Sequence, residues 1–136
     1  MRATRTTFAT GLLALIACAA SCTRSAPVCQ RIVGRWQGER VEGVEGAAPE
    51  LQAVMRSAIA RERWTLSAQQ LVREGAATER VVSMVERDGR CVVRLAREAP
   101  TSERTIELEV TAEGALRALT PSRDERVPVV VLRRVP

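Results

Sequence analysis

Four cysteines, Cys18, Cys22, Cys29 and Cys91, are the side chains of this 136-residue sequence with the widest chemical reach. A thiol can be acylated, oxidised to a disulfide, or ionised to act as a nucleophile or metal ligand. A nucleophilic thiol ordinarily pairs with histidine, histidine is also the commonest metal ligand, and the chain has none. Without histidine there is no Ser-His-Asp triad and no histidine-paired thiol, and without lysine there is no Schiff base and no P-loop. The remaining candidate for acid–base work is Glu107 and Glu109, two positions apart on one strand face. With Thr105 beside them they read as a solvated exterior. No metal ligand set and no cofactor is indicated, and the chain is not read as an enzyme. All 21 basic residues are arginine, against 16 acids, giving +5. Arginine and glutamate interleave throughout, as in Arg61-Glu62-Arg63, Arg73-Glu74 and Glu103-Arg104. That makes a mixed-sign surface, not a stripe for phosphates. Aromatic content of 2% leaves no platform for stacking bases, so no nucleic-acid partner is expected.

The first two cysteines lie in an export segment. Arg2 and Arg5 precede an uncharged apolar run from Phe8 to Ala20, the length of a signal-peptide core and short of a membrane span. Leu15-Ile16-Ala17-Cys18 and Ala19-Ala20-Ser21-Cys22 both resemble the bacterial lipobox, in which small residues precede a cysteine that is acylated and becomes the first residue after cleavage. Leu15 favours Cys18. Parity favours Cys22, because its use leaves Cys29 and Cys91 as an even pair. The resemblance implies a signal peptide over residues 1–21 and a short tether over 22–30. It also implies a lipid anchor facing the periplasm, in the outer rather than the inner membrane. Loss of Arg2 and Arg5 would leave 19 arginines against 16 acids, so part of the basicity belongs to the export signal.

Residues 31–136 read as one domain of strands. Thr105-Ile106-Glu107-Leu108-Glu109-Val110 alternates cleanly, and Cys91, Val93 and Leu95 alternate with Arg90, Val92 and Arg94. Asp88-Gly89 is a tight hairpin signal, and Thr111-Ala112-Glu113-Gly114 suits a short loop with a left-handed glycine. Eight strands follow, at 31–40, 63–67, 70–74, 79–87, 90–98, 103–110, 115–120 and 127–135. One helix fills the large gap after strand one. Pro49 stands at its first turn, and Leu51, Val54, Met55, Ala58 and Ile59 form an apolar stripe over residues 50–62, placed to pack on the sheet or to act as a lid. The fold class is all-β with one helix: an eight-stranded antiparallel up-and-down barrel.

Ile32-Val33-Gly34-Arg35-Trp36 at the head of strand one resembles the G-x-W signature of lipocalins and small bacterial lipocalin-like domains. The Pro-started helix, the Trp64-Thr65-Leu66 strand and the final Val131-Leu132-Arg133-Arg134 are also similar, over roughly residues 31–135. The resemblance implies that Arg133 or Arg134 covers the Trp36 indole. It also implies that an N-terminal arm crosses the barrel end at which strands one and five both start. Cys29 and Cys91 would meet there in a disulfide; the alternatives are two buried thiols or a Cys22 partner. The longer loops, including 75–78, 99–102 and 121–126, gather at the opposite end with the helix. The expected function is an envelope-anchored lipoprotein, a monomer that binds or shields a small apolar ligand through Leu51, Met55 and Ile59 with inward Val93, Leu108 and Val110. The alternative is a non-catalytic protein-interaction module. A cavity under the helix favours the first, and a solidly packed interior the second.

Overall fold

A computed structural model describes residues 26–98, 100–119 and 128–136. The expected signal segment with Cys18 and Cys22, residues 22–25 of the expected tether, Ala99 and the expected loop 121–126 lie outside the described residues. Eight strands, β1 (Gly34–Glu42), β2 (Arg63–Leu66), β3 (Gln70–Arg73), β4 (Glu79–Arg87), β5 (Arg90–Glu98), β6 (Thr101–Val110), β7 (Leu116–Leu119) and β8 (Val129–Val135), close in sequence order into one antiparallel barrel. Each strand pairs with its neighbours in the chain, and β8 returns to β1. Two helices accompany them, α1 (Val28–Arg31) and α2 (Pro49–Arg61).

Turn chemistry sets the register where the loops are shortest. Asp88 and Gly89 both take positive φ, at 52° and 75°, the twist a two-residue hairpin needs, and Arg87 pairs directly with Arg90. Gly114, at φ 83°, closes the β6–β7 connection. Ser67 turns β2 into β3 by accepting, through Oγ, the backbone N–H groups of Gln69 and Gln70 at 3.2 and 3.1 Å.

The inward residues form a continuous apolar core. Trp36, Leu66, Leu71, Val93, Leu95, Leu108, Leu116 and Leu132 are essentially excluded from water, with Trp64 and Ile106 close behind. At roughly 1.5–3 kcal/mol per buried large side chain, this cluster is the main favourable contribution to folding.

Several boundaries differ from the sequence expectation. Strand one begins at Gly34, not at residue 31, because Val28–Arg31 coil into a helical turn; their packing belongs to the domain and not to a tether. β6 starts at Thr101, so the expected loop over 99–102 is much shorter. The stripe of α2 does not lie on the sheet along its length. Leu51 and Val54 are 51% and 64% exposed, Ala58 is exposed, Met55 is half-buried, and only Ile59 is buried. The cause is Gly38. A Cβ there would come within 1.8 Å of the Ile59 carbonyl oxygen, and the Gly38 N–H donates to the Glu62 carbonyl at 2.9 Å. The last turn of α2 is therefore pressed onto β1, and the first turns carry their apolar residues outward.

Candidate functional site

One end of the barrel is sealed by α1. This helix packs against β4, β5 and β6, and Cys29 is disulfide-bonded to Cys91 at the first inward position of β5, with 5.0 Å between Cα atoms. The Cys29 N–H donates to Glu86 at 3.1 Å. Ile32 is fully buried, and its carbonyl accepts the Trp36 indole N–H at 2.8 Å. Arg134 is the arginine over that indole, 4.4 Å from the ring centroid, while Arg133 donates to Gln37 at 3.2 Å. Arg134 also donates to the Val33 carbonyl at 3.1 Å and to the Arg31 carbonyl, so a single guanidinium stacks on the indole and caps the end of α1. Gly34 makes room for it: a Cβ there would sit 2.5 Å from an Arg134 nitrogen, and φ of 144° is itself a glycine conformation.

The six residues expected to meet a ligand do not share a cavity. Val93 and Leu108 are fully buried in the core, and Val110 is partly buried against it, all toward the α1-sealed end because β5 begins and β6 finishes there. Met55 and Ile59 instead line an open cleft of about 360 Å³ between α2 and β1, with Val41, Val44, Gln52 and the charged Arg40, Glu45 and Arg56. Leu51 stands out in solvent.

At the opposite end the inward positions change character. Following β5 upward, Cys91, Val93 and Leu95 give way to Arg97; following β6 back, Leu108 and Ile106 give way to Arg104; Leu71 on β3 is followed by Arg73. They face Glu79, whose side chain is only 4% exposed. Arg104 holds it in a fork, Nε and one Nη donating at 2.7 Å each, and Arg97 stands 4.0 Å from the same carboxylate. Arg73 lies 5.2 Å over the Trp64 ring and 3.3 Å from Glu62, which accepts the Trp64 indole N–H at 2.7 Å. The Arg104 hydrogen bond, with the charges of Arg104, Arg97 and Arg73, holds the Glu79 carboxyl below the ordinary glutamate range, against the opposing effect of burial. Sequence reasoning assigned these residues to the mixed-sign surface. Carrying the inward parity of each strand two residues further would have found them.

Glu107 and Glu109 point outward, where Arg90 bonds both, at 3.1 and 3.4 Å; Arg117 joins Glu109 to Glu42 and so carries the ion pairs from β5 around to β1. Among the described residues no group of acids and cysteines gathers as a metal site, and no helix is long and apolar enough to cross a membrane. In comparisons with known proteins, no family model, no curated protein and no solved structure matches the chain.

Proposed function

We propose that this chain is an exported, envelope-anchored binding module without catalytic activity, working through the outside of a lipocalin-like barrel. The supporting observation is the filled interior. Trp36, Trp64, Leu66, Leu71, Val93, Leu95, Leu108, Leu116 and Leu132 occupy the space in which a barrel of this size would otherwise hold a guest. A small scaffold with so complete a core presents its exterior, ends and loops to partners. Export and lipid anchoring through Cys18 or Cys22 rest on the apolar run and the paired lipobox-like stretches. The absence of His, Lys and Tyr leaves only Glu, Asp, Ser, Thr and Cys as candidate bases and nucleophiles.

The other reading, a carrier of a small apolar molecule, draws its support from the α2–β1 cleft, where Val41, Val44, Met55 and Ile59 give an apolar side to an otherwise charged recess. Native mass spectrometry separates the two. The full-length chain, extracted from envelopes in a neutral detergent, is expected to carry only its covalent acyl groups. A stoichiometric lipid-sized adduct that survives delipidating washes and is lost in Met55→Arg would overturn the module in favour of the carrier. The intact mass of Cys18→Ser against Cys22→Ser identifies the acylated residue, since only one of the two substitutions abolishes the lipid mass.

A further inference from the structure

We propose that the arginine end of the barrel is a binding site for a small oxyanion, a carboxylate or phosphate group, received by Arg73 and Arg97. The argument begins with charge. Arg73, Arg97 and Arg104 face two carboxylates, Glu62 and Glu79, so the cluster retains one net positive charge. The carboxylates are also unevenly shared. Both oxygens of Glu79 are taken at 2.7 Å by Arg104, leaving Arg97 with a single long approach of 4.0 Å. Glu62 divides its oxygens between Arg73, at 3.3 and 3.4 Å, and the Trp64 indole.

Hydrogen bonding is the second, independent observation. The Nε atoms of Arg73 and Arg97 are both buried, and neither has an acceptor among the described residues. A buried N–H on a charged group is costly to leave unpaired, and native proteins supply an acceptor for nearly all of them. Nε and the neighbouring Nη of a guanidinium form a fixed fork whose natural complement is two oxygens of a planar carboxylate or of a phosphate. Solvent reaches the outer atoms of both side chains, which as a whole are 30% and 36% exposed, so an anion arriving from solvent meets the Nη atoms first and reaches the buried Nε atoms only with a small shift of the side chain. The ground beneath them is apolar, with Leu71, Leu95 and Trp64 all buried, so an anion at the rim would be only partly screened by water. Neither the protein-interaction reading nor the carrier reading is needed for this site to exist.

The test uses the arginine Nε–Hε signals in ¹H–¹⁵N spectra of the full chain in a neutral detergent. The protein is titrated separately with inorganic phosphate, acetate and decanoate at ionic strength held constant with chloride. Two Nε signals, identified by their disappearance in Arg73→Gln and Arg97→Gln, are expected to shift saturably. Apparent affinity should fall at least 10-fold in Arg97→Gln and also in Arg97→Lys, which keeps the charge but loses the fork. Arg94→Gln, on the outer face beside Glu103, should bind as the parent does. Tighter binding of decanoate than of acetate would identify the anion as the head of an amphiphile; equal binding of the two would identify a free anion. Linear shifts common to all arginines, or unchanged affinity in both Arg97 variants, would overturn the site. Because Arg97→Lys preserves the charge facing Glu79, it remains informative even if Arg73→Gln does not fold.

Discussion

The end of the barrel where β1 and β5 begin and the end where β4 begins finish the same tube in opposite ways. At the first, α1 is drawn across the opening by the Cys29–Cys91 bond, Ile32 and Trp36 fill the space beneath it, and one cation, Arg134, is spent on an indole face and two backbone carbonyls. At the second, three arginines from β3, β5 and β6 occupy inward positions, and among the described residues Glu79 is the one nearly buried carboxylate they meet. Apolar closure contributes stability in proportion to the area it removes from water. A charged closure repays its desolvation only where each charge is paired. The sealed end should therefore carry the stability, and the arginine end should hold charge that remains available to a ligand.

The sharpest way to break this contrast is at Trp36. Trp36→Ala removes the largest fully buried side chain, the hydrogen bond to Ile32 and the surface on which Arg134 stacks. A loss of about 3–5 kcal/mol is expected from urea denaturation. A loss no larger than that of a substitution at the arginine end would mean that the sealed end is not the principal source of stability. The paired change Cys29→Ser with Cys91→Ser comes next. It opens a loop closed across 62 positions and should cost about 2–4 kcal/mol, measured as the stability difference between oxidised parent and variant. Amide exchange near α1 should rise more than exchange near Glu79.

Between the ends, legibility in the sequence was just as uneven. The alternation from Thr105 to Val110 and the Asp88-Gly89 turn made strand number, order and direction readable, because period two and a left-handed turn are local properties. Direction alone sets strands one and five at a common end; that Cys29 reaches Cys91 there depends on the crossing N-terminal arm that the lipocalin resemblance implies. The helix α2 was readable as a helix but not in its packing, which depends on the missing Cβ of Gly38 against the Ile59 carbonyl, a contact across 21 positions. α1 is a single turn, too short to show a period. Arg73, Arg97 and Arg104 are not separable from surface arginines in the charge pattern of the sequence, because an arginine that alternates with glutamate has the same pattern whether it points to water or to a buried carboxylate.

Glu79 is where the contrast can be sharpened with pH. Its carboxyl is held below the ordinary glutamate range in the folded protein, so it contributes stability that is fully present above that range. The contribution is lost as the pH falls through it toward the lower folded value. Glu79→Gln should cost about 1–2 kcal/mol near neutral pH, less than a fully buried pair because Arg97 and Arg104 are 36% and 42% exposed. The difference from the parent should shrink on acidification, since the parent also loses the charge. A difference that stays constant from neutral pH to below the glutamate range would show that packing, not charge, is what Glu79 provides.

The smallest effect is expected outside the barrel, at Glu107. Its ion pair with Arg90, at 3.1 Å, joins two side chains that both reach water, and Arg90 keeps Glu109 at 3.4 Å when Glu107 is neutralised. Glu107→Gln should therefore change stability by no more than about 0.5 kcal/mol, and by less in high salt, where exposed pairs are screened. Placed beside Glu79→Gln, the same chemical change made inside and outside the wall measures what the barrel interior adds to a charge. If the two variants cost the same at low salt and respond alike to added salt, the arginine end is electrostatically an exterior surface, and its inward parity gives Glu79 no advantage over Glu107.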